Sequence, residues 1–215
     1  MKKINRNKSS LIDTKKEINF VFNGKKYTGF KGDTLGSALL ANNVKLIGRS
    51  FKYHRPRGII SHGSEEPNGM VELINNHYNE PNTKITTLEL YEGLKAKSQN
   101  CWPSVKYDLM SINDKLSNFI SAGFYYKTFM WPSSFWEKIY EPLIRKAAGL
   151  GSLSLSDFGR NSEKGFLHCD VLIIGSGPSG LVSAYIAGLS GARVILIEQD
   201  FVFGGSLNNE TFTIS

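Results

Sequence analysis

Over 170–200 the sequence reads DVLIIGSGPSGLVSAYIAGLSGARVILIEQD, and no other stretch restricts the fold as tightly. A short apolar run of strand character ends directly on Gly175-Ser176-Gly177-Pro178-Ser179-Gly180, and a helix-forming stretch follows. Pro178 near the first turn of that helix costs nothing, because the N–H it lacks has no intrahelical acceptor. ARVILIE then supplies a second apolar strand ending on Glu198, 18 residues past Gly180. Strand, GxGxxG turn, helix, strand and acid in that order suit a dinucleotide. Gly175 permits the tight turn, Gly177 lets the backbone approach a pyrophosphate, and Gly180 allows close helix–strand packing. The helix N-terminus offers unpaired N–H groups and partial positive charge to the phosphates. Glu198 can accept from adenosine ribose hydroxyls, which favours NAD or FAD over NADP. The Gly-Gly pair at 204–205 continues the pattern of domains that take FAD or NAD(P), without choosing between them. The plainer alternative is a glycine-rich turn in some other βαβ unit.

Such a unit needs a further crossover and at least one more strand, and the 15 residues after Asp200 cannot supply them. The expectation is the N-terminal part of a longer polypeptide. A parallel pair standing alone would keep open edges and an uncovered face.

Upstream, INFVFNGKKYTGF (18–30) alternates apolar and polar residues around Asn23-Gly24, the strongest short hairpin signal. Asp33 or Thr34 can cap a short helix carrying Leu35, Ala38 and Leu39 at helical spacing. GMVELIN (69–75) and KITTLEL (84–90) read as strands, which together suggest a small α+β domain of β-grasp type. Between Cys101 and Tyr140 lie 11 of the chain's 25 aromatic residues, too many for a solvated linker. Packing onto its own chain and docking against another subunit both remain open for this segment. GLGSLSLSD (149–157) reads as a linker.

The longest apolar runs fall far short of the roughly 20 residues a membrane helix needs. The basic N-terminus has no apolar core after it and is not a secretory signal. Cys101 and Cys169, the two cysteines, allow one disulfide but read rather as free thiols in a reducing cytosol, and no Cys/His spacing suggests zinc. Residues 1–57 hold 14 Lys/Arg against 3 Asp/Glu, within a net charge of +7 for the chain. Such a patch can meet nucleic acid or an acidic partner. With no nucleic-acid module beside it, the reading is a solvated basic face and a flexible arm, not a nucleic-acid binder.

Three stretches are unusually particular: GRSFKYHRPRGIISHGSEEPNGMVEL (48–73), SQNCWPSVKYDLMSINDKLSNFISAGFYYKTFMWP (98–132) and FWEKIYEPLIRKAAGLG (135–151). With the glycine-loop unit they resemble the alpha subunit of heterotetrameric sarcosine oxidase across most of 18–215. The resemblance implies a fold of α+β followed by α/β. A flexible tail (1–16) precedes a β-grasp, [2Fe–2S] ferredoxin-like domain (17–97). An aromatic-rich connecting segment (98–165) leads to the start of a Rossmann-type FAD/NAD(P)-binding domain (166–215). Cluster-bearing relatives carry closely spaced cysteines after the short helix, whereas RSFKYHRPRGIISHGSEEPNG has none, so no cluster is expected. His54 and His62 lie among arginines and make a poor cation site. Arg49, Lys52, Arg55 and Arg57 are read as holding acidic partner residues or a flavin phosphate.

The activity the resemblance implies is oxidation of sarcosine to glycine, formaldehyde and hydrogen peroxide. The complex would join beta, gamma and delta subunits to this one, with FAD in the beta subunit and FMN near the alpha–beta interface. Tetrahydrofolate would bind a C-terminal half that lies beyond this sequence. NAD is the cofactor implied for this chain. By position, Gly175, Ser176, Gly177, Pro178, Ser179 and Gly180 would line its pyrophosphate and Glu198 its ribose. Gln199 and Asp200 would approach the adenosine, and Gly204, Gly205, Ser206 and Leu207 the next loop. No catalytic residue and no metal ligand is assigned. The alternatives are FAD at the glycine loop, a related N-methyl amino acid dehydrogenase subunit, or a non-catalytic assembly module.

Overall fold

Asn23 and Gly24 reverse the chain as their sequence demands, with φ of 50° and 75° in the computed structural model of the protein. The structure describes residues 12–75, 79–118, 131–149 and 163–209, together with Ile120, Gly123, Phe129, Gly151 and Leu153. The arm over 1–11, most of GLGSLSLSD and the aromatics Phe119, Phe124, Tyr125 and Tyr126 lie outside the described residues. The chain divides into two units, Met1–Phe158 and Gly159–Ser215.

In the first unit the turn joins β1 (Asp13–Phe22) to β2 (Lys25–Lys31) as an antiparallel hairpin. β1 therefore starts four residues inside the stretch expected to be a tail. Its inward positions follow period two: Ile18 is half-buried and Phe20 and Phe22 are buried. Thr34 caps α1 (Leu35–Ala41), taking Ser37 N–H on its hydroxyl while Ser37 Oγ takes Thr34 N–H. The buried Asp33 stands beside this cap rather than forming it, accepting Phe30 N–H at 2.9 Å and the Ser37 hydroxyl at 2.6 Å.

β5 (Met70–Ile74), β6 (Asn79–Lys84) and β7 (Lys95–Ser98) complete a five-stranded sheet of order β2-β1-β7-β5-β6. Parallel pairing of β1 with β7 puts the first and last strands side by side at its centre, the β-grasp order. Asn23 fastens that junction a second time, its side chain exchanging two hydrogen bonds with Ser98 at 2.8 and 2.9 Å. α1 lays Leu35, Ala38 and Leu39 onto Phe20, Phe22 and Val71 in one apolar core.

KITTLEL is not a strand. Residues 85–88 turn back towards α1, and Gly36 and Leu35 donate to the Ile85 and Leu88 carbonyls. Ile85 and Leu90 are buried core residues carried on a loop. The true strand, β6, is a polar edge strand, and edge strands need no apolar face to pair.

Two short strands, β3 (Gly48–Arg49) and β4 (Pro56–Arg57), pair antiparallel after α1. Beyond the sheet lie α2 (Ile112–Lys115) and α3 (Glu141–Ala148), the latter entered through a π turn at Trp136–Tyr140. Trp102, Tyr107 and Trp131 are mostly exposed, so these aromatics are not packed away on their own chain.

The second unit is a βαβ: β8 (Val171–Ile174), α4 (Pro178–Leu189) and β9 (Val194–Ile197), the strands parallel and in register from Val171↔Val194 to Ile174↔Ile197. Leu172, Ile174 and Ile197 are exposed, as are Val182, Ile186 and Leu189 of α4. Parallel strands are normally covered on both faces, and these carry the apolar surface for it. No helix among the described residues is long and apolar enough to cross a membrane.

The core makes a direct demand. Leu39 is fully buried against Phe20 and Phe22, so Leu39→Ala should cost about 2–5 kcal/mol. The check is the urea midpoint of the first unit, where a shift no larger than that of a surface substitution would contradict the packing described.

Candidate dinucleotide site

β8 delivers the chain into the glycine loop, and Gly175 leaves it at φ 101°, a backbone conformation that residues with a Cβ rarely adopt. Gly175 N–H still bonds the Ile197 carbonyl at 2.7 Å, so the loop begins as an extension of the parallel pair. Gly177 caps α4 in extended conformation and Pro178 takes the first helical position. A Cβ on Gly180 would collide with the Gly175 carbonyl oxygen, which is the close packing expected of the third glycine. A Cβ on Gly177 would meet no protein atom within 4 Å. The space beside Gly177 is thus open at the helix N-terminus, where a side chain would obstruct a phosphate.

Glu198 follows β9 and turns into this loop. One carboxylate oxygen accepts both the N–H and the hydroxyl of Ser176, each at 2.6 Å. The other accepts Gln199 N–H at 2.8 Å and Asp200 N–H at 3.1 Å. Ser176, fully buried, is the junction: its hydroxyl and its carbonyl also accept Gly204 N–H, both at 3.1 Å. Gly204 (φ 119°) and Gly205 (φ 54°) bring the next loop so close that a Cβ on Gly205 would lie 3.1 Å from Gly177 Cα. Ser206 and Leu207 continue as a 3₁₀ turn.

The expected residues 175–180, 198–200 and 204–205 are therefore together at one end of the βαβ unit. Ser176 as the link between the three loops was not legible, because a serine at a variable position of GxGxxG carries no signal. The Ser176 hydroxyl, followed by its N–H and those of Asp200 and Gln199, lowers the Glu198 carboxyl from an ordinary 4.5 to about 2. Asp200 moves the other way, raised by burial and by the Glu198 charge. A carboxylate has about four lone-pair directions, and Glu198 uses four. A further donor could reach it only by replacing one of these four, and the rotatable Ser176 hydroxyl is the one that can yield.

In the first unit the cations after α1 are largely occupied internally. Arg49 donates to the carbonyls of Val105, His54 and Lys106 at 2.9, 2.9 and 3.2 Å. Arg55 pairs with Asp114 at 2.6 Å and, like Lys52, lies over the Tyr53 ring. Arg49 and Arg55 therefore have partners within the chain itself. His54 is buried, and its Nδ1 meets Asp108 at 2.5 Å, while His62 is a loop residue capping a 3₁₀ turn. Among the described residues no three His, Cys, Asp or Glu side chains come together as a metal site.

Residues 15–101 match the family described as 2Fe-2S iron-sulfur cluster binding domain, and residues 170–213 match FAD dependent oxidoreductase. Over 207 residues, 96% of its length, the chain is 54% identical to sarcosine oxidase subunit alpha of Rhizobium meliloti. The chain is a relative of sarcosine oxidase alpha subunits. Subunits of that name from two Corynebacterium strains, U-96 and P-1, are 30% and 31% identical over 91% and 92% of the chain. The chain spans 21% of the length of the Rhizobium alpha subunit and 16% of each Corynebacterium one.

The iron–sulfur group named by the first match does not fit the residues present. Such clusters are held by four ligands, thiolates above all. Within 15–101 the sequence has one cysteine, Cys101, whose thiol is raised by burial and by the Asp108 charge, and so disfavoured as a thiolate. The second match agrees with the glycine-loop geometry.

Because the Ser176 hydroxyl is the first cause of the low Glu198 pKa, Ser176→Ala should raise that pKa from about 2 towards 4.5. A depressed carboxyl stabilises the fold above its unfolded pKa, and that stabilisation is lost as pH falls through the folded value. The substitution should therefore move the acid limb of the second unit's stability upward in pH. Carboxyl NMR titration checks the shift, and an unchanged Glu198 titration would contradict the network.

Proposed function

We propose that the chain forms part of the alpha subunit of a sarcosine oxidase-type flavoprotein oxidoreductase and holds a dinucleotide at its glycine loop. The observation that carries this reading is Gly177, where space at a helix N-terminus is free of protein atoms while every neighbouring loop is tied down. The pyrophosphate would lie along Gly175, Ser176, Gly177, Pro178, Ser179 and Gly180. Glu198 would take the ribose, Gln199 would flank the adenosine, and Gly204 and Gly205 would close the next side. These contacts belong to a Rossmann-type site and serve an ADP moiety, which NAD and FAD share. NAD is the reading for this chain, and FAD is the second, favoured by the match of residues 170–213 to FAD dependent oxidoreductases.

The reaction of the assembled complex would be oxidation of sarcosine to glycine, formaldehyde and hydrogen peroxide, with FAD and FMN in the complex and tetrahydrofolate receiving the one-carbon unit. Beta, gamma and delta subunits would be the partners, in the cytoplasm. The chain's part would be to bind and orient a cofactor. It presents helix-end N–H groups to phosphate and a carboxylate that stays charged at neutral pH. No acid, base or nucleophile for amine oxidation is assigned to it. The exposed Trp102, Tyr107 and Trp131 would serve assembly, since exposed aromatics are the usual anchors of subunit contacts.

Gly177→Val separates binding from folding, because the new side chain meets no protein atom at Cβ and an extended residue tolerates it. The protein as isolated should release a dinucleotide on denaturation, identified as NAD or as a flavin by mass and colour. The variant should keep its circular dichroism and melting temperature and lose the nucleotide. Undiminished retention in the variant would overturn the assignment.

A further inference from the structure

With one cysteine in residues 15–101, the unit matched to a cluster-binding family must order its loops by other means. An iron–sulfur centre is an anionic group that takes hydrogen bonds on its sulfurs from surrounding donors. The loop between β4 and β5 shows a side chain with the same property. Glu66 is fully buried, and both its oxygens are filled from the backbone. Oε2 accepts Ile60 N–H at 2.8 Å and Ser61 N–H at 2.6 Å. Oε1 accepts Asn68 N–H at 2.6 Å and Gly69 N–H at 3.0 Å.

The four donors come from two stretches on either side of the 3₁₀ turn at Gly63–Glu65, so one carboxylate closes the loop on itself. The turn is then fastened to the sheet side. Thr86 Oγ1 donates to the Gly63 carbonyl at 2.7 Å, Lys84 Nζ to that of Ser64 at 2.5 Å, and Ile85 N–H to that of Gly69 at 2.9 Å. Gly69 is needed where it stands, since a Cβ there would lie 3.0 Å from Ile85 and 3.1 Å from the Glu66 side chain. Burial pushes the Glu66 carboxyl up, but the four N–H donors together outweigh it and hold the group below its ordinary value.

We propose that Glu66 is a built-in anion that organises residues 60–69, so that this ferredoxin-like unit takes its fold without iron. Two consequences follow. The unit then carries no iron–sulfur centre, so no electron step through one is assigned to it. Its loop order is set by charge and hydrogen bonding within one side chain, and does not depend on a metal supply.

The test uses the full chain. A glutamine at position 66 keeps the shape but offers one acceptor oxygen and turns an NH₂ towards two of the four donors. In Glu66→Gln, hydrogen exchange should accelerate by about tenfold or more at one pair among Ile60, Ser61, Asn68 and Gly69, with the β5 amides of Val71 and Leu73 unchanged. In the unsubstituted protein, which needs no variant to fold, the same four amides should exchange as slowly as Val71 although they lie in a loop. Anaerobic treatment with ferrous iron and sulfide should leave the protein without stoichiometric iron. Fast exchange of the four amides in the unsubstituted protein, unchanged exchange in the variant, or incorporation of stoichiometric iron and sulfide would overturn the proposal.

Discussion

Loop N–H groups that no strand can satisfy must find another acceptor, and in this chain a glutamate collects them in each unit. Glu66 takes four N–H groups of one loop. Glu198 takes three N–H groups and a hydroxyl. At the buried Glu66 each such bond contributes about 1.5–3 kcal/mol, and a buried donor left without its acceptor costs about 1–3 kcal/mol. Loss of that carboxylate therefore threatens a whole loop, not one contact. The two differ in what surrounds them. Glu66 is fully buried, and its partners are backbone groups that cannot turn away. Glu198 sits at the open end of the βαβ unit and includes a rotatable hydroxyl among its donors. The first arrangement suits permanent structure, the second exchange with a ligand.

That difference separates the roles of the two units. The first unit resembles an electron carrier in its sheet order, yet its sequence lacks the thiolates that would make it one. Its polar side chains turn inward to hold the chain. Arg49 spans three carbonyls and His54 is locked to Asp108, so residues that look reactive in the sequence are structural in the fold. The second unit keeps its glycine loop clear beside Gly177 and ties the surrounding loops through Ser176.

The sequence was legible where a residue type answers a local backbone demand. Asn23-Gly24 supplied the two positive φ angles of the hairpin, and Thr34 the cap of α1. In the βαβ unit the three glycines and Glu198 announced both the fold and the candidate site. It was misleading where burial depends on distant contacts. Ile85 and Leu90 are apolar because a loop carries them into the core, and the polar β6 has no apolar face because it lies at the sheet edge. Glu66 was hidden in EEPNG, where nothing in the local sequence marks it. Only the fold reveals that four N–H groups converge on it.

The measurement that tests the account most directly is hydrogen exchange of the isolated protein with and without added dinucleotide. Slowed exchange should be confined to the amides of Ser176, Gly177, Ser179, Gly180, Leu181, Gly204 and Gly205, with those of Ile60, Ser61, Asn68 and Gly69 already slow and unaffected. No protection at the glycine loop, or protection appearing in the first unit instead, would contradict the account.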